Sequence, residues 1–490
     1  MLLSSFQRVS LLVTAACIVC TALLASARPT IRSADLERRL LFPAQNTASG
    51  FPSPVDDPFY KAPQNISAYT LGQEVRRRPT NSTFSEAASS YQIMFRSNDT
   101  QNNPIGGIAT VLLPNKPSAQ SSLLSFQNFE DAVSLTCSPS WAYVANTNGP
   151  AQLAANLEAP IVVNWALSQG YYAVIPDQEG PNSSFIAGHT EGKIVLDGIR
   201  AALNAQKLDK KTKVAFYGYS GGAHATVWAA TLAQSYAPEI NIVAASHGGT
   251  PIDPEHILTY LNKGPFAGFA IAGVVGVASA YPELFQYITA NLNAAGQKVF
   301  KDIVADNVCI GNVVGNYPFA DLFSYFKVKD PLNKPIPTKY LAKETLLQSK
   351  ASEDVPAPTF PRLIYHALFD EIIPYNDTAA YIQEQCSKPG SGQIHAVTLP
   401  IAEHITGEVL GIPVAIAFLD QAFKGTLNQV KCGTIVPAID PNSQQAEDIL
   451  GSAATQQLRS ALVSGKWQNA LGLQHQSNNN ATGVLKSGGN

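Results

Sequence analysis

Residues 214–217 form a short apolar run and residues 223–233 an alanine-rich, helix-forming run, with Gly218-Tyr219-Ser220-Gly221-Gly222 between them. A strand that turns into a helix within so few residues needs unusual backbone freedom, and glycine supplies it on both sides of the serine. In a strand–turn–helix setting, a G-x-S-x-G sequence becomes a nucleophile elbow. The serine is held in a strained conformation that lifts its hydroxyl above the strand ends, and the next N–H, that of Gly221, faces the place where an oxyanion would form. The plainer alternative is a glycine-rich turn that only packs a helix onto a sheet.

The 490-residue chain is 45% hydrophobic and only 14% charged, enough for a large core built as one domain with insertions or as two domains. A formal charge of −3 gives no basic field, so nucleic acid is not an expected partner. The mature region has no CxxC pair and no HExxH, so no metal or other cofactor is expected.

Residues 1–27 have the form of a secretory signal: Arg8, an apolar stretch over 9–24, and Ala25-Ser26-Ala27 as a small-residue cleavage site. An uncleaved anchor is the alternative. Arg38-Arg39 offers a dibasic processing point, so residues 28–83 read as a propeptide followed by a proline-rich N-terminal arm. Loss of the signal removes Cys17 and Cys20 and leaves Cys137, Cys309, Cys386 and Cys432. In an exported chain these suggest two disulfides, and we favour 137–309 with 386–432, the second closing a local loop. Sequons at Asn65, Asn81, Asn98, Asn182, Asn376 and Asn480 fit an exported glycoprotein. The mature chain is expected to be extracellular, monomeric and without a transmembrane segment.

Strand-like runs occur at 91–96, 107–113, 123–126 and 171–176, with a helix at 160–168. A further helix, capped by Thr190 with Glu191, carries the stripe Ile194, Val195, Ile199, Ala202 and Leu203. After the elbow comes a strand at 241–246. Alternating helices and continuous apolar strands predict a mostly parallel sheet covered on both faces, with residues 84–253 as the first part of an α/β core. The pattern breaks after Pro251, and 254–345 is largely helical in composition. Its uncharged stretch 264–280 holds Gly264, Gly268, Gly273 and Gly276 and is short for a membrane span. It is either a buried helix of an inserted cap or the apolar wall or lid of a substrate pocket. Alternation resumes at 362–366 and 396–399, so 346–439 is the second part of the core. Residues 440–490 are a polar extension with a short helix at 446–464.

A serine hydroxyl needs a base, and the base an orienting acid. In this architecture the acid and then the histidine follow the serine, each just after a strand. Of the eight histidines, His189 precedes the serine and His224 lies on its own helix. His247 and His256 come before the sheet resumes, His366 is within a strand, His395 enters one, and His475 is in the tail. His404 remains, in a short loop between a strand and a helix. For the acid, Asp370 is the first choice and Glu371 the fallback. Asp177 and Glu179 come too early in the order and read as loop caps. By position, the upstream oxyanion donor falls within 126–131, because His247-Gly248-Gly249 follows the serine.

These residues resemble the fungal secretory lipases. The blocks that carry the resemblance include Asp56-Asp57-Pro58-Phe59-Tyr60, Glu130-Asp131 ahead of Cys137, Phe185-Ile186-Ala187-Gly188 and Leu196-Asp197-Gly198-Ile199-Arg200. Others are Gly218 through Thr226, Ser246-His247-Gly248-Gly249-Thr250-Pro251, Gly264 through Phe269, Asp370 through Pro374 and Ala402-Glu403-His404. The resemblance covers about residues 55–439 and leaves the extension unmatched. It implies an α/β-hydrolase fold with a helical cap, the same disulfide pairing, and a triad of Ser220, Asp370 and His404. It also implies an oxyanion hole of the Gly221 N–H and a protonated Asp131 side chain, a residue that is otherwise read as a loop cap. The implied activity is that of a secreted serine lipase on triacylglycerols at an oil–water interface. A carboxylesterase or acyltransferase on soluble esters, a peptidase on the same fold, and a non-catalytic surface-binding protein are the alternatives.

Overall fold

The computed structural model describes residues 50–145, 147 and 158–464. The expected signal and dibasic site, and the sequon at Asn480, lie outside the described residues.

Ten strands are β1 Glu74–Thr80, β2 Ala87–Asn98, β3 Pro104–Pro114, β4 Ser122–Gln127, β5 Tyr172–Pro176, β6 Lys213–Tyr219, β7 Ile242–Gly248, β8 Arg362–Ala367, β9 Ile394–Leu399 and β10 Thr434–Ile435. They form one sheet in the order β1-β2-β3-β5-β4-β6-β7-β8-β9-β10. β1, β2 and β3 pair antiparallel with one another, and β3 with β5. From β5 across to β10 every pairing is parallel.

The helices between the early strands are α1 Pro139–Ala142, α2 Ala159–Ser168, α3 Gly188–Ala205 and α4 Gly221–Tyr236. Between β7 and β8 come α5 Pro254–Leu261, α6 Ala267–Ala280, α7 Pro282–Asn291, α8 Ala294–Ile303, α9 Ile310–Asn316 and α10 Pro335–Leu341. The last are α11 Tyr375–Ser387, α12 His404–Lys424, α13 Gln444–Leu450 and α14 Ser452–Ser464.

Strand β6 shows how the layers arise. Successive side chains point to opposite faces of a strand, so Val214 and Phe216 join the core of α3 and α4. Ala215, Tyr217 and Tyr219 join the core of α2 and α12 on the other face. With both faces covered, the parallel strands are apolar throughout, which is why they stood out in the sequence. α12 is long and apolar enough to cross a membrane by composition alone, yet 72% of its apolar window is buried inside the fold. It is the main core helix of its layer.

Three local readings are corrected. Part of the proline-rich arm, Glu74–Thr80, is an edge strand. Its arginines and Pro79 give it no apolar alternation, and such residues protect a sheet edge from further pairing. Arg78 lies over the Phe59 ring, 4.2 Å from its centroid, and pairs with Asp57 at 2.6 Å. Second, the single short helix expected at 446–464 is two, α13 and α14, and their Ala446, Leu450 and Leu458 are buried in the core beneath α12. Third, Thr190 does not cap α3. Its N-cap is Ala187, with no side-chain cap, and Glu191 Oε1 instead accepts from the Ile186 N–H just before the helix at 2.9 Å.

The six helices after β7 bury their own apolar cluster against Phe129, Phe185, Ile372 and Ile373 of the strand-end loops and Ile405 of the first turn of α12. The glycines of α6 allow this close approach. A Cβ on Gly268 would stand 1.9 Å from the carbonyl oxygen of Val313 in α9, and one on Gly276 would stand 2.3 Å from that of Phe185. The two readings of 264–280 therefore meet in one helix, buried on most sides and lining a cavity with Phe269, Gly273 and Val277. Disulfides join Cys137 to Cys309 and Cys386 to Cys432. The first ties the segment after β4 to the start of α9. Asn65, Asn81, Asn182 and Asn376 are exposed, whereas Asn98 is buried at the end of β2.

Candidate active site

Ser220 sits between β6 and α4 at φ 52° and ψ −124°, a conformation unusual for any residue with a side chain. The neighbouring glycines are sterically required. A Cβ on Gly218 would lie 2.3 Å from the Gly222 carbonyl oxygen, and one on Gly222 would lie 2.1 Å from that of Gln127. The elbow is thus pressed against the end of β4, its neighbour in the sheet.

The parallel strands β4, β6, β8 and β9 all end on the same side, so the loops that follow them converge, as ligand crevices in such sheets do. The His404 Nε2 lies 2.9 Å from Ser220 Oγ. Its Nδ1 lies 2.7 Å from Asp370 Oδ2. The other carboxylate oxygen, Oδ1, accepts from the N–H groups of Ile372 and Ile373 at 3.0 and 2.7 Å. Those contacts fix the tautomer, with the proton on Nδ1 and Nε2 free to accept from the serine. All three side chains are buried. For Asp370, burial opposes ionisation, but His404 and His366 outweigh it and hold the carboxyl below its usual range. For His404, burial opposes the charged ring, but Asp370 and then Glu371 and Asp131 raise it above the ordinary histidine value.

The loop after β4 brings Asp131 over Gly221, at a backbone φ of 49°. A Cβ on Gly221 would stand 1.9 Å from Asp131 Oδ1, an atom that is buried with no hydrogen-bond partner in the protein. Burial is the main cause that pushes the Asp131 carboxyl up to about 7, against the pull of His404 and His224. A neutral carboxylic acid at this place can donate a hydrogen bond beside the Gly221 N–H.

Several residues around the site were not legible in the sequence. His366, set aside as a strand residue, places Nε2 3.1 Å from Asp370 Oδ2. Glu371, the fallback acid, accepts from the His404 N–H at 2.9 Å and so holds the backbone of that residue rather than its ring. Tyr219 donates to the His404 carbonyl at 2.5 Å, and Tyr260 to that of Asp370 at 2.9 Å. His224 is one turn past the serine, but its Nδ1 pairs with Glu191 at 2.6 Å. Asp177 is not a loop cap: it accepts from the Ser140 N–H and Oγ at 2.7 and 2.6 Å. Glu179 is likewise buried, with Oε2 unpartnered. Among the described residues no group of three or more His, Cys, Asp or Glu is placed to hold a metal ion.

Two recesses meet at Ser220 and Asp131. One, of about 500 Å³, is walled by Phe185, Ile186, Ile257, Leu258, Phe269, Gly273 and Val277. The other, of about 380 Å³, runs between Phe129, Ile310, Ile405 and Glu408. In the loops that lead to Asp370 and His404, Phe369 is 66% and Ile401 89% exposed. The two loops that carry them are joined by a bond from the Phe369 N–H to the Ala402 carbonyl.

A family model described as secretory lipase matches residues 151–429. Lipase A of Moesziomyces aphidis is 45% identical over 455 residues, 92% of this chain and 96% of that protein. A secreted triacylglycerol lipase of Malassezia furfur is 33% identical over 400 residues, 79% of each chain. Among solved structures, Candida antarctica lipase A in its closed state superposes with a TM-score of 0.82 at 46% identity, over 84% of this chain and 96% of that one. A rice cell wall degrading esterase from Xanthomonas oryzae superposes at 0.57 with 17% identity, over 73% of this chain and 100% of that one, a likeness of fold alone.

Proposed function

The chain belongs to the secretory lipase family, and from that premise we propose that it hydrolyses triacylglycerols through an acyl-enzyme on Ser220. It is a carboxylic ester hydrolase of the α/β-hydrolase fold. His404 takes the hydroxyl proton as Ser220 Oγ attacks the ester carbonyl, and Asp370 holds the imidazole in the required tautomer. The Gly221 N–H and the Asp131 carboxyl donate to the oxyanion. His404 then protonates the leaving alcohol, and water resolves the acyl-enzyme by the same steps in reverse order. The observation that carries this reading is the unbroken hydrogen-bond line from Ser220 through His404 to Asp370, buried beside an apolar cavity.

The acyl chain occupies the recess along α6. Its walls are apolar and it reaches Ser220, and each methylene buried there contributes about 0.8 kcal/mol. Phe369 and Ile401 are large apolar residues left in water beside the site, which suits contact with a lipid surface. The family is secretory, and two disulfides fit an oxidising compartment, so we place the mature chain outside the cell. The test is fatty-acid release from emulsified long-chain triacylglycerol compared with a soluble short-chain ester. Activity on both, greater on the emulsion, is expected. Activity on the soluble ester alone would replace the lipase reading with a carboxylesterase.

A further inference from the structure

The smaller recess holds a residue that the reaction has not used. Glu408 lies one helical turn after His404 on α12, a spacing that puts both side chains on one face. It lines the recess that opens on Ser220 and His404 and adjoins the acyl cavity at Ser220 and Asp131. Glu408 is only 3% exposed, and its Oε1 has no hydrogen-bond partner in the protein. Burial first, then the nearby Glu158 and Asp131, hold its carboxyl well above the usual range. A neutral acid of this kind both donates and accepts. Its neighbours in the wall, Phe129, Ile310 and Ile405, are apolar.

We propose that Glu408 determines specificity for the alcohol half of the ester, hydrogen-bonding a second oxygen of a polyol such as a glycerol backbone. The inference rests on the proposed ester hydrolysis and deepens it. The acyl chain fills the cavity along α6, so the alcohol leaves through the other recess, past Glu408. An oxygen one or two carbons from the cleaved bond then comes within reach of the acid. An alcohol that attacks the acyl-enzyme enters by the same route. Its O–H proton passes to His404 as its oxygen bonds the acyl carbon. The bond from that carbon to Ser220 Oγ then breaks as the proton returns to Oγ.

The experiment forms the acyl-enzyme from a nitrophenyl ester and measures how it partitions between glycerol and 1-propanol. The ratio is internal to one intermediate, so the amount of folded enzyme does not enter it. Glu408→Leu is expected to lower the glycerol-to-propanol ratio by about fivefold or more, as loss of one net hydrogen bond should. Glu408→Gln, which keeps a donor and an acceptor, is expected to hold it within about twofold. An unchanged ratio in Glu408→Leu overturns the assignment of the recess and leaves ester hydrolysis standing. No nitrophenol release by the wild type would instead overturn ester hydrolysis, and this inference with it.

Discussion

The Nε2 of His366 lies 3.1 Å from Oδ2 of Asp370, the same oxygen that receives His404 Nδ1 at 2.7 Å. The other ring nitrogen of His366 lies 2.8 Å from Thr378 Oγ1. Both neighbours of Nε2, the carboxylate and the Ile373 carbonyl, are acceptors. The ring therefore carries its proton there and accepts from the threonine. His366 is a positioning residue, acting through Asp370. A hydrogen bond to a charged group contributes about 1.5–3 kcal/mol, so His366→Phe should lower kcat about tenfold. It should also leave Asp370 more available to His404 and move the acid limb of the pH profile to higher pH. An unmoved profile with unchanged kcat would make His366 merely structural.

Asp131, as the proposed oxyanion donor, should set the opposite limb. Its carboxyl is raised to about 7, and it donates only while protonated. Its contribution is therefore present below that pH and lost as the pH rises through it. His404 works in the other direction, since it must be neutral to accept the serine proton. The pH dependence of kcat/KM should rise through the His404 titration and fall near 7. Asp131→Asn keeps a donor and should flatten the alkaline limb. Asp131→Ala should cost about a hundred- to a thousandfold in kcat. A falling limb that persists in Asp131→Asn would show that another group causes it.

Gly273 faces the acyl cavity from α6, and a Cβ there would meet only the Leu258 Cδ2 at 3.4 Å. A larger side chain fits the helix but fills the recess. Gly273→Leu should move the preferred acyl chain to shorter lengths, with about 0.8 kcal/mol lost for each displaced methylene. The check is a chain-length series of nitrophenyl esters, and an unchanged series would place the acyl chain elsewhere.

Stability should depend on pH in an unusual direction. Burial raises Asp177 to about 7 and Glu158 to about 8, and Glu130, Glu179 and Glu408 well above the usual carboxylate range. Each binds its proton more tightly in the folded chain than in the unfolded one. Their contribution is complete below the unfolded values near 4 and declines as the pH rises through the folded ones. Asp370 has the opposite sign, but its loss falls at the acid end, below its unfolded value. Buried His247, held down to about 3, also opposes the trend below its unfolded value near 6.5, and the five carboxyls together outweigh it. The melting temperature should be higher at pH 5 than at pH 8, and the reverse order would contradict these assignments.

The elbow, the order of acid and base, and the parallel strands were legible because their causes are local. Glycines bracket Ser220 where a Cβ would collide, and strands buried on both faces are apolar in succession. β1 was hidden because an edge strand with Arg76, Arg77 and Arg78 looks like an arm. A helix over 446–464 was legible, but its docking was hidden, because α13 and α14 bury only a few side chains, such as Leu450 and Leu458, within polar sequence. Glu408 carried the weakest signal: a glutamate one turn after the base differs from a surface glutamate only once the recess beside it exists. Asp131 could be placed at the right loop by position. Its approach to Gly221 depends on β4 lying beside β6, a pairing between residues far apart in the chain.

In the proposed mechanism Ser220 is a nucleophile activated by His404. That mechanism is tested most directly by treating the enzyme with a nitrophenyl phosphonate ester and mapping the adduct by peptide mass. One adduct per chain is expected, on Ser220, with concurrent loss of ester hydrolysis, and labelling should slow about a thousandfold or more in His404→Ala. An adduct on another residue, or full hydrolysis by Ser220→Ala, would contradict the mechanism.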